Sequence, residues 1–189
     1  MTTIAVRSGC IAADSRTTTH TEEGGSRVFR CEKLYRKRVA TPETGGVEDD
    51  VILATAGETF SALVFVDWYG SGKDKPGELI DGDADFSVLV LSRKGLFEFD
   101  RWCRGEKILD RFYAVGSGAK AALGAMHMGA TATKAVYVAC KIDPFSAPPV
   151  TTWSLPERQK ISPRSDPSRP ARRRSRSGTP TPPPPDTVS

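Results

Sequence analysis

Val51-Ile52-Leu53-Ala54-Thr55-Ala56 is the run that most restricts what this chain can fold into. Six uncharged residues, mostly aliphatic and closed by Gly57, predict a short strand buried on both faces. Other short strand-like runs surround it. Residues 3–7 and 10–14 predict a hairpin turning at Ser8-Gly9, with the second strand ending on Asp14. Lys33 to Val39 predicts a strand with Leu34, Tyr35 and Val39 among basic residues. Residues 15–27 read as a polar loop and residues 40–50 as a hairpin loop. Phe86 to Leu91 and Gly95 to Phe99 predict a second hairpin, Tyr113 to Val115 a short strand, and Val150 to Trp153 a final one.

Two regions carry helical signals instead. From Glu58 to about Tyr69, Phe60, Leu63, Val64 and Asp67/Trp68 recur at spacings of three and four. Ala119 to Met128 is alanine-rich and helix-prone, and Thr131 is placed to cap a further helix over Ala132 to Lys141. Hairpins followed by helices predict an α+β sheet protein and not regular βαβ winding. The composition then changes. Residues 1–155 form the expected domain, whereas residues 156–189 hold Pro, Ser, Arg and Thr with almost no large apolar side chain, which predicts a disordered basic tail. Charge follows the same division. The chain carries +4 overall, but residues 158–189 hold eight basic against two acidic residues and the rest nineteen against twenty-one. The basic pI therefore belongs to the tail, and total charge is no argument for nucleic-acid binding.

The residue inventory narrows the chemistry. Cys10, Cys31, Cys103 and Cys140 form no CxxC pair, and the two histidines, His20 and His127, do not fall at zinc-ligand spacing with them. A His-ligated metal and a His-dependent triad are both poorly supported. His127, between Met126 and Met128, reads as a helix-packing residue, and Cys31 as a structural thiol. Trp68, Trp102 and Trp153 read as core or interface anchors. No continuous apolar run marks a signal peptide or reaches the roughly 18–20 residues of a membrane helix. A reducing cytoplasm with free thiols is the expected compartment.

Thr2 follows Met1 directly. Removal of Met1 would leave one residue with both a hydroxyl nucleophile and a free α-amine whose ordinary pKa is about 7.7–8.0. An amine of that basicity can activate the hydroxyl beside it. Taken singly, Asp14, Lys33 and Ser117 read as a strand-end carboxylate, one of a basic run and an ordinary glycine-flanked turn. In register with Thr2 they form a candidate constellation.

The segments Thr2-Thr3-Ile4-Ala5-Val6-Arg7, Ile11-Ala12-Ala13-Asp14-Ser15-Arg16, Lys33-Leu34-Tyr35-Arg36, Thr55-Ala56-Gly57, Ala114-Val115-Gly116-Ser117-Gly118 and Ala130-Thr131-Ala132 through Ile142-Asp143 follow one another in a family's order and approximate spacing. Together they resemble the threonine-peptidase branch of the N-terminal-nucleophile hydrolases, and more narrowly HslV and proteasome β subunits. The resemblance covers residues 2 to about 154. It implies a four-layer αββα sandwich and a threonine-type endopeptidase. By the same resemblance Thr2 is the nucleophile, its α-amine the base, and Lys33 the cation that lowers the amine pKa. Asp14 then orients Lys33, Ser117 bonds around the amine, and the Gly57 amide helps hold the oxyanion. It implies homo-oligomeric rings acting on polypeptides, with an ATP-dependent unfoldase of the HslU kind as a partner, although a peptidase without an ATPase is equally compatible. No cofactor is required for the hydrolysis. A monovalent cation, which HslV-like proteins can hold on backbone near this point, is an open expectation, since Asp143-Pro144-Phe145-Ser146-Ala147-Pro148-Pro149 stands where relatives often carry Gly-Gly.

Two other readings use the same residues. A catalytically silent scaffold subunit would keep the fold and not the turnover. A nucleic-acid-binding protein would work through Arg172-Arg173-Arg174-Ser175-Arg176, but no aromatic residues interleave there to stack on bases.

Overall fold

A computed structural model describes residues 2–20, 24–73 and 84–156, which lie within one compact unit, Met1–Pro156. The remainder of the expected tail lies outside the described residues, and so does the arginine run of the nucleic-acid reading.

In chain order the elements are β1 (Thr3–Arg7), β2 (Cys10–Asp14), β3 (Arg16–His20), β4 (Ser26–Arg30), β5 (Leu34–Val39), β6 (Asp49–Gly57), α1 (Thr59–Trp68), β7 (Phe86–Ser92), β8 (Gly95–Phe99), β9 (Gly105–Ile108), β10 (Phe112–Gly116), α2 (Ala119–His127), α3 (Ala132–Ile142) and β11 (Val150–Ser154). A short 3-10 turn, Pro42–Thr44, interrupts the loop before β6. The strands form a four-stranded sheet β10-β1-β2-β11, a five-stranded sheet β5-β6-β7-β8-β9 and a separate hairpin β3-β4. Every pairing is antiparallel.

The burial of β6 on both faces follows from the pleat, which sends successive side chains to opposite sides. Ile52, Ala54 and Ala56 join Ile4, Val6, Ile11 and Ala13 of the other sheet in one apolar cluster between the two sheets. Val51 and Leu53 point the other way and pack with Ala62, Phe65 and Val66 of α1. The four-stranded sheet divides similarly. Ala5, Ala12 and Ala114 face away from the inter-sheet cluster and meet Ala122, Met126, Ala135, Val136 and Ala139 of α2 and α3. Small side chains on both surfaces let these helices lie close to the sheet.

Helix ends are secured by named groups. Glu58 caps α1, its carboxylate accepting from the Phe60 and Ser61 amides at 2.8 and 2.6 Å. At the other end the Lys37 ammonium donates to the Val66, Asp67 and Tyr69 carbonyls. A cation there offsets both the unpaired carbonyls and the negative end of the helix dipole. The Arg7 guanidinium does the same for α2, reaching the Met126 and Ala130 carbonyls at 2.6 and 2.7 Å. Thr131 caps α3 as expected, with its hydroxyl accepting from the Lys134 amide.

Several expectations are corrected. Residues 15–27 are not one polar loop, because Arg16–His20 and Ser26–Arg30 pair as a hairpin. Strand β9 carried no sequence signal, since Gly105-Glu106-Lys107-Ile108 is short, mostly exposed and charged. In α1 the buried residues are Ser61, Ala62, Phe65 and Val66, while Phe60 is 60% exposed. The helix is apolar nearly all round, so a three-and-four spacing can be drawn on the wrong face. Phe65 decides the true one, with its ring centroid 5.1 Å from that of Phe99 and 5.3 Å from that of Trp68. Trp68 and Trp153 are partly buried against the core clusters, but Trp102 is exposed and no core anchor. His127 does pack, edge-on against Phe112.

Candidate active site

The site is assembled by the first strand, the ends of β2 and β6, the start of β5, and the loop after α3. Asp14 ends β2 and is 1% exposed. A carboxylate buried this deeply is costly unless its oxygens find hydrogen-bond donors. Its Oδ1 accepts from the Thr3 amide at 2.9 Å and from Lys33 Nζ at 2.8 Å, and its Oδ2 from the Arg16 and Ala147 amides at 3.0 and 3.1 Å. Lys33, 4% exposed, also donates to the Arg16 carbonyl at 2.5 Å. Burial holds the Lys33 pKa below the ordinary lysine value, and the adjacent Asp14 charge offsets part of that effect. Nearby Cys140 is driven the other way. Burial, with the Asp14 charge adding to it, pushes its thiol up to about 11, so it stays protonated.

Thr2, itself buried, lines one small pocket together with Lys33 and Gly57. Thr17, Cys31 and Thr55 line the same pocket. Gly57 has φ +92°, and a Cβ there would fall 2.3 Å from the Asp85 carbonyl oxygen. Gly116, at φ +93°, is equally obligatory, because its Cβ would fall 1.9 Å from the Thr2 carbonyl oxygen. Glycine at 116 is therefore what lets β10 end against the nucleophile candidate. Ser117 follows and donates to Asp143 Oδ2 at 2.7 Å, with a longer 3.4 Å bond to the Thr2 carbonyl.

Of the residues singled out from the sequence, Lys33 and Gly57 line a pocket with Thr2, Ser117 bonds its carbonyl, and Asp14 bonds Lys33 and the amide of the next residue, Thr3. Two that were not singled out join them. Asp143 Oδ2 also accepts from Ser146 Oγ at 2.6 Å, and the Ser146 hydroxyl lies 2.6 Å from that of Thr3. Burial opposes ionisation of Asp143, but hydrogen bonds from Ser146, Ser117 and the Phe145 amide outweigh it and hold the carboxyl below its usual range. The available signal was Asp143 and Ser146 three residues apart in the turn after α3, in a segment that stood out only as a departure. That segment also supplies the Ala147 amide to Asp14. Among the described residues, no group of three or more His, Cys, Asp or Glu converges as a metal cluster, and no helix is long and apolar enough to cross a membrane.

The fold that carries these residues is a known one. No protein-family model matches the sequence, and no curated protein matches it. Solved structures do. HslV from Trypanosoma brucei is 20% identical, with 80% of this chain and 97% of that one covered at a TM-score of 0.55. BPH from Thiobacillus denitrificans, solved in complex with epoxomicin, is 22% identical over 82% and 98% of the two chains, at 0.53. Anbu, an ancestral β-subunit, from Yersinia bercovieri is 13% identical over 82% of each, at 0.58. The fold is that of the N-terminal-nucleophile hydrolases of HslV and proteasome β-subunit type.

Proposed function

We propose that this chain is a threonine-type endopeptidase subunit whose nucleophile is the Thr2 hydroxyl once Met1 is removed. The observation that carries this reading is buried Lys33, which lines the same pocket as Thr2 and Gly57 and is held from behind by its ion pair with Asp14. Keeping an ammonium out of water is costly, and a perturbed, paired lysine beside a hydroxyl is a common mark of a reactive centre. The removal of Met1 frees the α-amine of Thr2. The Lys33 charge lowers the basicity of that amine toward neutrality, and the ionised Asp143 with Ser117 and Ser146 holds the network around it.

The amine takes the hydroxyl proton as Thr2 Oγ attacks the peptide carbonyl carbon. The Gly57 amide stabilises the tetrahedral oxyanion. Collapse breaks the C–N bond, and the ammonium of Thr2 returns its proton to the leaving amine. Water then attacks the acyl ester with the same amine as base, releasing the second peptide and the free hydroxyl. Every step uses groups of the chain and water, so no cofactor is required.

The two facing sheets with helices on their outer faces fit a four-layer αββα sandwich, and the likeness to HslV-type structures supports a homo-oligomeric ring, a polypeptide substrate and an unfoldase partner. Exposed apolar side chains such as Phe60 and Ile142 favour such association. A cytoplasmic setting suits the four free thiols.

The test is intact-mass analysis with a peptide epoxyketone, which can bond to both a hydroxyl and the adjacent free amine. We expect one adduct on Thr2, absent from Thr2→Ala and from protein that retains Met1. A folded, Met1-free protein that forms no adduct would sink the reading and favour a silent scaffold subunit.

A further inference from the structure

The first strand is fastened at its first residue, and this decides when Thr2 can acquire a free amine. We propose that Met1 is removed by an aminopeptidase acting on the growing chain, and that folding then closes the Met1–Thr2 bond to any separate peptidase. A copy that folds with Met1 in place keeps it. This order of events does not depend on what Thr2 does afterwards. Its consequence for activity does rest on the Thr2 nucleophile reading: such a copy is a silent subunit.

Chain termini fray unless something ties them down. Here the residues after the bond are tied. The nitrogen of the bond belongs to Thr2, which is 5% exposed, and Thr3 beyond it is fully buried. The Thr3 amide donates to Asp14 Oδ1 at 2.9 Å, the Thr3 hydroxyl lies 2.6 Å from Ser146 Oγ, and the Thr3 backbone pairs with Gly116. The Thr2 carbonyl sits so close to Gly116 that a Cβ there would fall 1.9 Å from its oxygen. A hydrolase that cuts before Thr2 must bring its own groups within about 3 Å of the reacting atoms and hold the next residues in its own cleft. It reaches that geometry only after Thr2 and Thr3 leave β10, Asp14 and Ser146. Each of the three Thr3 contacts disfavours that opening by about three- to tenfold. Cleavage through an opening follows the population of the open form. The folded chain should therefore be cut at least about thirtyfold more slowly than a free peptide of the same sequence.

Synthesis leaves the bond open first. Ser146 lies 143 residues beyond Thr3. At ~5–20 residues per second, the fastening stays incomplete for roughly 7–30 s after Thr3 is made. The reaction in that interval is hydrolysis. Water adds across the Met1–Thr2 amide, methionine leaves with the carboxylate, and Thr2 keeps the nitrogen as an amine.

The experiment is synthesis of the full chain in a reconstituted translation system that lacks methionine aminopeptidase. The enzyme is added during synthesis, after release and folding, or not at all, and intact mass reads Met1. Circular dichroism checks that the late sample is folded, and a peptide of residues 1–12 in the same reaction gives the unhindered rate. We expect Met1 to be lost from the early sample and kept in the sample without enzyme. The late sample should lose it at least about thirtyfold more slowly than the peptide does. Thr3→Val keeps the side-chain shape and loses the bond to Ser146, so it should raise the late rate about three- to tenfold. A late rate near that of the peptide overturns the inference, as does a folded Thr3→Val protein cut no faster than the parent. So does retention of Met1 in the early sample. Loss of Met1 from the folded chain without enzyme overturns it as well, because the chain then cuts the bond itself. Met1-free, folded protein that takes no epoxyketone overturns the nucleophile reading and leaves the order of processing standing.

Discussion

Removing Asp14 should cost more stability than removing the charge of Lys33, although the two form one ion pair. Asp14→Ala takes away the acceptor for four donors at once: Lys33 Nζ and the amides of Thr3, Arg16 and Ala147. It leaves a buried ammonium unpaired and frees the loop after α3 from β2. Breaking a buried pair in this way costs about 3–5 kcal/mol, and the orphaned amides place this variant at the upper end. Lys33→Met keeps the stem and removes only the ammonium. Asp14 then retains three amide donors, and the Arg16 carbonyl loses its 2.5 Å partner. That variant should lose about 2–3 kcal/mol. The double variant should be more stable than the sum of the two losses by about 1–2 kcal/mol, since both singles remove the same contact. The assay is urea unfolding of the three variants and the parent, comparing midpoints at constant m. Equal costs, a reversed order or strict additivity would refute the view that Asp14 is the hub and Lys33 one of its partners.

Two further outcomes follow from the same geometry. Gly116→Ala places a methyl 1.9 Å from the Thr2 carbonyl oxygen at a left-handed φ, so it should destabilise the protein by at least about 2 kcal/mol and slow probe labelling of Thr2 beyond the loss of folded protein; labelling at the parental rate by the folded fraction would contradict this. Asp143 is held below its ordinary value of 3.8 in the folded protein, so the unfolded state binds more protons in that window and stability rises with pH there. Its contribution should be complete above about pH 4 and fade as pH falls through the folded pKa. Asp143→Asn should flatten that acid limb in urea titrations between pH 2.5 and 5, and an unchanged limb would count against the hydrogen-bond account.

Much of the frame was legible locally. The β6 run announced its burial because an uncharged aliphatic strand has only one comfortable environment, and Thr131 announced the start of α3 because a cap needs a hydroxyl at that one position. Weakly patterned pieces were not legible. Strand β9 pairs through its backbone while its side chains stay mostly exposed, so no alternation marks it. The hairpin β3-β4 is built from threonines, arginines and serines, which also suit a loop. The face of α1 was misread because its apolar residues encircle it, and only contact with Phe86 and Phe99 singles out Phe65.

The same division runs through the candidate site. Thr2, Asp14, Lys33, Gly57 and Ser117 were named through the family resemblance of their segments, because taken singly Asp14, Lys33 and Ser117 read as a strand-end carboxylate, one of a basic run and an ordinary turn. Asp143 and Ser146 were not, for their bonds run to Ser117 and Thr3, far away along the chain. Nor could any local pattern tell that Asp14 would accept four hydrogen bonds or that Thr17 and Cys31 would line the pocket next to Thr2. Local sequence determines which elements form and what chemistry each residue can offer. Which groups are dehydrated together, and therefore which charges must pair, is decided by the packing of two sheets and their helices, because burial and proximity are properties of the assembled fold.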